Sequence, residues 1–288
     1  MLNLSTPTIE EVVANPEQFN FLRKIGIENY RFRPDVGDEL FASIVDFETT
    51  GFLAGVDEAI EIGITLVRYS PSTKQLISIE ENYQAFECPV KPITAQITEI
   101  NGITQEMVEG QEFDDAKIKE LAFKSQFICA HNSMFDRPFW DNQFPELSGL
   151  RWACSIKGID WGAKYYSSRS LEFLSMKHGF TYNAHRACSD TVATAVVLSV
   201  GDNFSELLDS LEKSSVHVLA FGSPYHCKDE LKARKYEWVY NDQNVWHKTI
   251  DKENLEAEKE FLDELYQDGS EHAHYREITA YERFRKEL

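Results

Sequence analysis

Phe41-Ala42-Ser43-Ile44-Val45-Asp46-Phe47-Glu48-Thr49-Thr50-Gly51 is the stretch that decides how the rest of the chain reads. Its apolar, β-rich first half predicts a strand, and its second half ends that strand on two acids and a turn. Strand side chains alternate between faces, so Ala42, Ile44, Asp46 and Glu48 lie in one line. Two carboxylates aimed off the end of an apolar strand repel each other, and partial burial raises their pKa values. A bound cation reverses that cost. The ordinary alternative is that Asp-x-Glu merely marks a strand end, so other segments must decide.

Downstream, strand and helix signals alternate. Strands are expected over 59–69, with Ile60, Ile62 and Ile64 alternating, and over 75–89. A helix over 117–124 precedes a short strand over 127–130, and helices follow over 133–142, 170–178 and 186–200. That order predicts an α/β domain with a mixed sheet, placed at 41–212. Residues 1–40 read as a helical N-terminal extension, opened by a Thr8-x-x-Glu11 capping box and continuing from Pro16 to Ile25. From 213 the pattern changes to a strand over 216–221, a helix over 227–235 and a hairpin over 236–250 turning on Asn241-Asp242-Gln243-Asn244. A charged helix over 253–267 stopping at Gly269 and a last strand over 274–284 complete a small α+β domain, 213–288.

Composition sets limits on function. A length of 288 residues fits two domains at roughly 150 residues each. With 42% hydrophobic and 12% aromatic residues the chain can build a sizeable core, which excludes disordered and fibrous classes. No apolar run approaches the ~20 residues of a membrane helix, and the start lacks a secretory pattern. Five cysteines without a Cys-x-x-Cys pair point to reduced thiols and a cytoplasmic protein. A net charge of -19, spread along the chain, argues against broad coating of nucleic acid. It leaves room for a small site that grips nucleic acid through metal ions.

Three further residues sharpen the reading of Asp46 and Glu48. Asp190 lies in a helix that continues as Val192, Ala193, Ala195, Val196, Val197 and Leu198, apolar on nearly every side. An unpaired carboxylate there is costly, so it needs either a basic partner or a metal. Asp136 follows the strand over 127–130 at the opening of a helix, where an acid can equally serve the helix dipole. Four carboxylates from separate segments match two Mg²⁺ or Mn²⁺ ions, since hard cations favour oxygen ligands. His185, five residues before Asp190, stands where a general base for an attacking water belongs.

Asp46-x-Glu48-Thr49-Thr50-Gly51, His131-Asn132-x-x-Phe135-Asp136 and His185-x4-Asp190, in this order, resemble the three motifs of the DEDDh (DnaQ-like) 3'-5' exonucleases. Ile100-Asn101-Gly102-Ile103-Thr104 resembles that family's segment lining the terminal-nucleotide pocket. The resemblance covers about 41–200. Arg151-Trp152-Ala153-Cys154-Ser155, Leu231 to Trp238 and Ile278 to Phe284 resemble an epsilon-like subgroup with an added C-terminal domain. Ser133 stands where Ala is commoner and Phe52 where Leu usually follows Thr-Thr-Gly, departures that bear on substrate fit.

The resemblance implies a ribonuclease H-like fold and two-metal hydrolysis of a 3'-terminal phosphodiester, releasing nucleoside 5'-monophosphates. Asp46, Glu48 and Asp190 would hold one ion, with Asp46 bridging to a second supported by Asp136. His185 would take the proton. The backbone around Thr49, Thr50 and Gly51 would receive the 3'-OH. Phe52, Ile103 and Phe135 would shape the base pocket, with Asn101 and Asn132 beside them. The implied partner is the 3' end of single-stranded DNA or a frayed duplex, in proofreading or repair. An exoribonuclease of the oligoribonuclease kind shares the motifs, and a polymerase-associated subunit is the rival from another class. In the C-terminal region, Lys228, Lys232, Arg234 and Lys235 near Trp238, Trp246 and Lys248 read either as a patch for single strands or as a plain core with solvated lysines.

Overall fold

The computed structural model describes residues 8–239 and 244–285. The N-terminal elements are α1 (Ile9–Ala14) and β1 (Arg23–Lys24). The central region runs β2 (Leu40–Thr49), β3 (Ala59–Ser70), β4 (Gln75–Phe86), α2 (Ala95–Asn101), α3 (Gln105–Val108), α4 (Asp115–Lys124), β5 (Ile128–Ala130) and α5 (Ser133–Gln143). It continues through β6 (Trp152–Cys154), α6 (Leu171–Lys177), β7 (Phe180–Thr181), α7 (Ala187–Leu198) and α8 (Asn203–Glu212). The C-terminal region holds β8 (Ser215–Ala220), α9 (Lys228–Ala233), β9 (Glu237–Val239), β10 (Val245–Asp251), α10 (Leu255–Leu265), α11 (Gly269–His272) and β11 (His274–Ile278).

A five-stranded sheet ordered β4-β3-β2-β5-β6 forms the centre. β2, β3 and β4 pair antiparallel, whereas β5 and β6 run parallel to β2, giving the mixed ribonuclease H-like sheet. Alternation along β2 sends Ala42 and Ile44 to one core with Val192, Ala193 and Leu207, and Val45 and Phe47 to another with Ile118, Leu121 and Phe139. Helices therefore cover both faces. Because β2, β5 and β6 are parallel, their carboxyl ends lie together, with Asp46 and Glu48 at the end of β2 and Asp136 on α5 just after β5.

Residues 215–278 form a second sheet, order β11-β8-β10-β9, all antiparallel. Val216, Val218, Ala220 and Trp246 face a core with Leu231 and Leu262. β9 and β10 pair as the expected hairpin arms, whereas residues 241–243 of its turn lie outside the described residues.

Several expected elements differ. Thr8 does cap α1, accepting from the Glu11 N–H at 3.2 Å. Residues 16–25 do not form a helix: one 3₁₀ turn, Pro16–Gln18, gives way to β1, which pairs parallel with β7 and buries Ile25. The chain continues extended against β4, with the Ile79 N–H donating to Tyr30 and the Phe32 N–H to Ile77. Apolar residues in this extension serve the central core rather than a helix face of their own. α10 ends at Leu265, ahead of Gly269, and the left-handed turn falls on Asp268. β11 stops at Ile278 because the chain then turns back to the first sheet, where the Trp152 N–H donates to the Ala280 carbonyl.

Candidate active site

β2 pairs with β3 so that Asp46 lies opposite Gly63 and Glu48 opposite Glu61, with a register shift between Glu48 and Thr49. That irregularity ends the ladder where the acids emerge. Gly63 sets the approach of α7: a Cβ there would lie 2.3 Å from the Ala187 and Cys188 backbone. Only glycine lets the helix start rest directly on the strand, and this contact brings Asp190 to Asp46 and Glu48. One carboxylate oxygen from each of the three lies within 4.8 Å of the others. Asp190 is held from behind by the Arg186 N–H at 3.0 Å and the Tyr182 hydroxyl at 3.1 Å.

Asp136 enters from α5 and is buried, its Oδ1 accepting from the Phe47 N–H at 3.2 Å. It stands outside the three-carboxylate group yet contributes strongly to the field on Asp46. Asn101, at the end of α2, donates to Glu48 at 3.3 Å and accepts from the Ile103 N–H at 3.0 Å. Burial, then repulsion from Asp136, Asp190 and Glu48, pushes the Asp46 carboxyl well above the ordinary carboxylate range. Burial is also the first cause for the others: Glu48 is raised to about 7, Asp136 to about 8 and Asp190 to about 6. None of the four forms an ion pair among the described residues. Buried, unpaired acids with oxygen-only donors are the environment that a hard divalent cation relieves. The residues fit such ions.

His185 is exposed on the loop into α7, in left-handed backbone at φ 61°, where its charge acts on Asp190. Non-glycine residues held there are strained, a feature that gathers at functional sites. Around the turn, the Thr50 N–H donates to the Glu58 carbonyl and the Thr50 hydroxyl accepts from the Glu58 N–H, both at 2.9 Å. Thr49 donates its hydroxyl to the Gly51 carbonyl at 2.5 Å. Gly51 leaves no room for a side chain, since a Cβ would meet the Asp57 carboxylate at 2.4 Å. Phe52 is 84% exposed and meets Phe135 edge-on at 6.4 Å. Asn132 is exposed before α5, its carbonyl accepting from Phe135. Ile103 is fully buried among Ile60 and Val108, so it lies under the site rather than lining its wall.

One supporting acid escapes the motif reading. Glu61, fully buried on β3, receives the Arg186 guanidinium at 2.8 Å and the Ala187 N–H at 3.1 Å, clamping the start of α7. Its signal was present: a lone acid between Ile60 and Ile62 in a run of buried positions. The basic C-terminal patch, in contrast, is partly tied into the core of its own region. Arg234 and Lys248 both reach the buried Glu258, at 3.2 and 3.5 Å, Lys228 donates to Tyr225, and Trp246 is buried.

A family model described as RNase_T exonuclease matches residues 43–198. The PolC-type DNA polymerase III of Thermotoga maritima is 33% identical over 223 residues, covering 69% of this chain and 15% of that protein. Its Thermotoga petrophila counterpart is 30% identical over 216 residues, covering 67% and 14%. The chain thus spans about 15% of the length of these curated relatives. Among solved structures, a zinc-bound E. coli ExoI–ssDNA complex superposes with a TM-score of 0.51 at 16% identity, covering 74% of this chain and 63% of that one.

Proposed function

The chain belongs to the RNase_T exonuclease family and, within it, to the DEDDh 3'-5' exonucleases, and from this premise we propose that it shortens DNA from the 3' end, releasing nucleoside 5'-monophosphates. The observation that carries the reading is the convergence of Asp46, Glu48 and Asp190 within 4.8 Å beside buried Asp136. Asp46, Glu48 and Asp190 would hold one Mg²⁺ or Mn²⁺, and Asp46 with Asp136 a second. When bound, the ions would balance the charge of the reacting phosphate and acidify the attacking water.

The chain's own groups do the rest. His185 Nδ1 or Nε2 takes the proton from the attacking water, its exposed loop letting the ring reach the phosphate. Asn101 fixes the Glu48 carboxylate, and Tyr182 with the Arg186 N–H fixes that of Asp190. The backbone of Thr49 to Gly51 receives the terminal sugar, the terminal base stacks on the Phe52–Phe135 pair, and Asn132 borders that pocket. The match to part of two DNA polymerases favours DNA over RNA and a proofreading- or repair-like role beside a polymerase, in the cytoplasm. No helix among the described residues is long and apolar enough to cross a membrane.

The test pairs 5'-labelled single-stranded DNA and RNA of one sequence with Mg²⁺ or Mn²⁺, wild type against Asp46→Asn. A ladder shortening from the 3' end of DNA, absent in the variant, is expected. Cleavage confined to RNA would replace DNA with RNA as substrate, and full activity of Asp46→Asn would end the site assignment.

A further inference from the structure

A groove of about 870 Å³ opens at Met134, two residues before Asp136 on α5, and runs past the residues following β6 to the second sheet. Met134 is 58% exposed at its mouth, and Thr249, Asp251 and Ile278 close its far end. The groove therefore runs from the start of α5, the helix that supplies Asp136, to the C-terminal region.

Its charges are not balanced as a count suggests. Lys157, Arg169 and Lys213 line it, are exposed, and form no ion pair among the described residues. Of the acids on its walls, Asp209 is paired with Lys74 and Glu206 with Lys164. Asp160 and Asp251 form no ion pair among the described residues, and the half-buried Arg283 stands on the same walls, so four cations face two uncompensated acids. In a chain of net charge -19, this leaves a local cationic excess along the groove.

The groove continues onto the face of the second sheet that points away from its core. Val216, Val218 and Ala220 point into the core, so the alternate residues His217 and Leu219 point outward, as do Thr249 and Arg276 across from His217. These four are half-buried or exposed, and beyond them the rings of Phe221 and His274 meet at 4.8 Å. A sheet face with a cation and rings meeting edge to face suits unpaired bases.

We propose that this groove and the outer face of the β11-β8-β10-β9 sheet hold the 5' continuation of the strand whose 3' end occupies the active site. The occupant is a single-stranded phosphodiester backbone, held at phosphates by Lys157, Arg169 and Lys213. The inference rests on the exonuclease reading and extends it from the terminal nucleotide to the strand behind it.

The experiment compares wild type, the triple variant Lys157→Glu/Arg169→Glu/Lys213→Glu and a control, Lys119→Glu, whose cation already pairs with Glu146. Hydrolysis is followed on oligonucleotides of increasing length, and binding of a labelled 20-nucleotide strand is read by anisotropy with EDTA present. Wild type and control should favour long over short strands in kcat/KM, and the triple variant should lose most of that preference. Binding by the triple variant should weaken about tenfold, with a salt slope shallower by about 2. Equal length preference and equal binding in wild type and triple variant would overturn the proposal. If wild type cleaved nothing, the exonuclease reading would fail, and the anisotropy series would still decide the groove.

Discussion

Burial and neighbouring acids hold the Asp46 carboxyl well above the ordinary carboxylate range, and the same causes lift Glu48, Asp136 and Asp190. Folded-state values above the unfolded ones favour the protonated fold. Their contribution to stability is therefore complete below about pH 4, the unfolded value, and lost as pH rises through about 6 to 8. Metal-free protein should melt at a lower temperature at pH 8 than at pH 6. Mn²⁺ should raise the melting temperature more at pH 8, where the carboxylates are ionised. Thermal melts with EDTA and with Mn²⁺ at both pH values check this; equal shifts would argue against the carboxylates as ligands. Asp46→Asn should remove the Mn²⁺ shift together with turnover. For His185, the left-handed backbone separates two roles, because asparagine tolerates that conformation and alanine does not. Both His185→Asn and His185→Ala should slow hydrolysis by about 10²- to 10⁴-fold while retaining Mn²⁺ binding, with only Ala also lowering stability.

At the level of elements, the site depends on how closely α7 approaches β3. Gly63→Ala would force the α7 start outward, costing about 1–3 kcal/mol, and would carry Asp190 away from Asp46. Weaker Mn²⁺ binding with a folded circular-dichroism spectrum is the expected result. The carboxylate-bearing elements were legible in sequence because each has a local signature: an alternating strand ending in Asp46 and Glu48, and an all-round apolar helix around Asp190. Gly63 carried no such signal, since its role exists only once Ala187, remote in sequence, lies on top of it. For the same reason the partners of β1 and of Ala280 could not be read: both are non-local pairings of short segments. The C-terminal lysines and tryptophans left two readings open for a related reason, since spacing does not reveal that Glu258 is buried between Arg234 and Lys248.

At the scale of the whole molecule, Arg137 ties the two sheets together. It is fully buried on α5, next to Asp136, and donates to the carbonyls of Arg283 and Tyr281 at 2.6 Å and of Ser148 at 3.0 Å. The segment after β11 thus fastens to the helix that supplies a site carboxylate. Arg137→Met should cost about 3 kcal/mol and more than the same change at an exposed arginine, because it strands buried carbonyls. Chemical denaturation should show this as a lowered midpoint, and a loss of the single cooperative transition would show the two sheets separating.

That fastening also has a clock. Arg137 and Tyr281 are 144 residues apart. At roughly 5–20 residues per second on the ribosome, the helix bearing Asp136 waits on the order of 10 s for its latch. Throughout that interval the nascent chain presents an unclosed edge at β6 and an arginine that has the Ser148 carbonyl but lacks those of Tyr281 and Arg283, so the helix bearing Asp136 is latched only once the segment after β11 has been made.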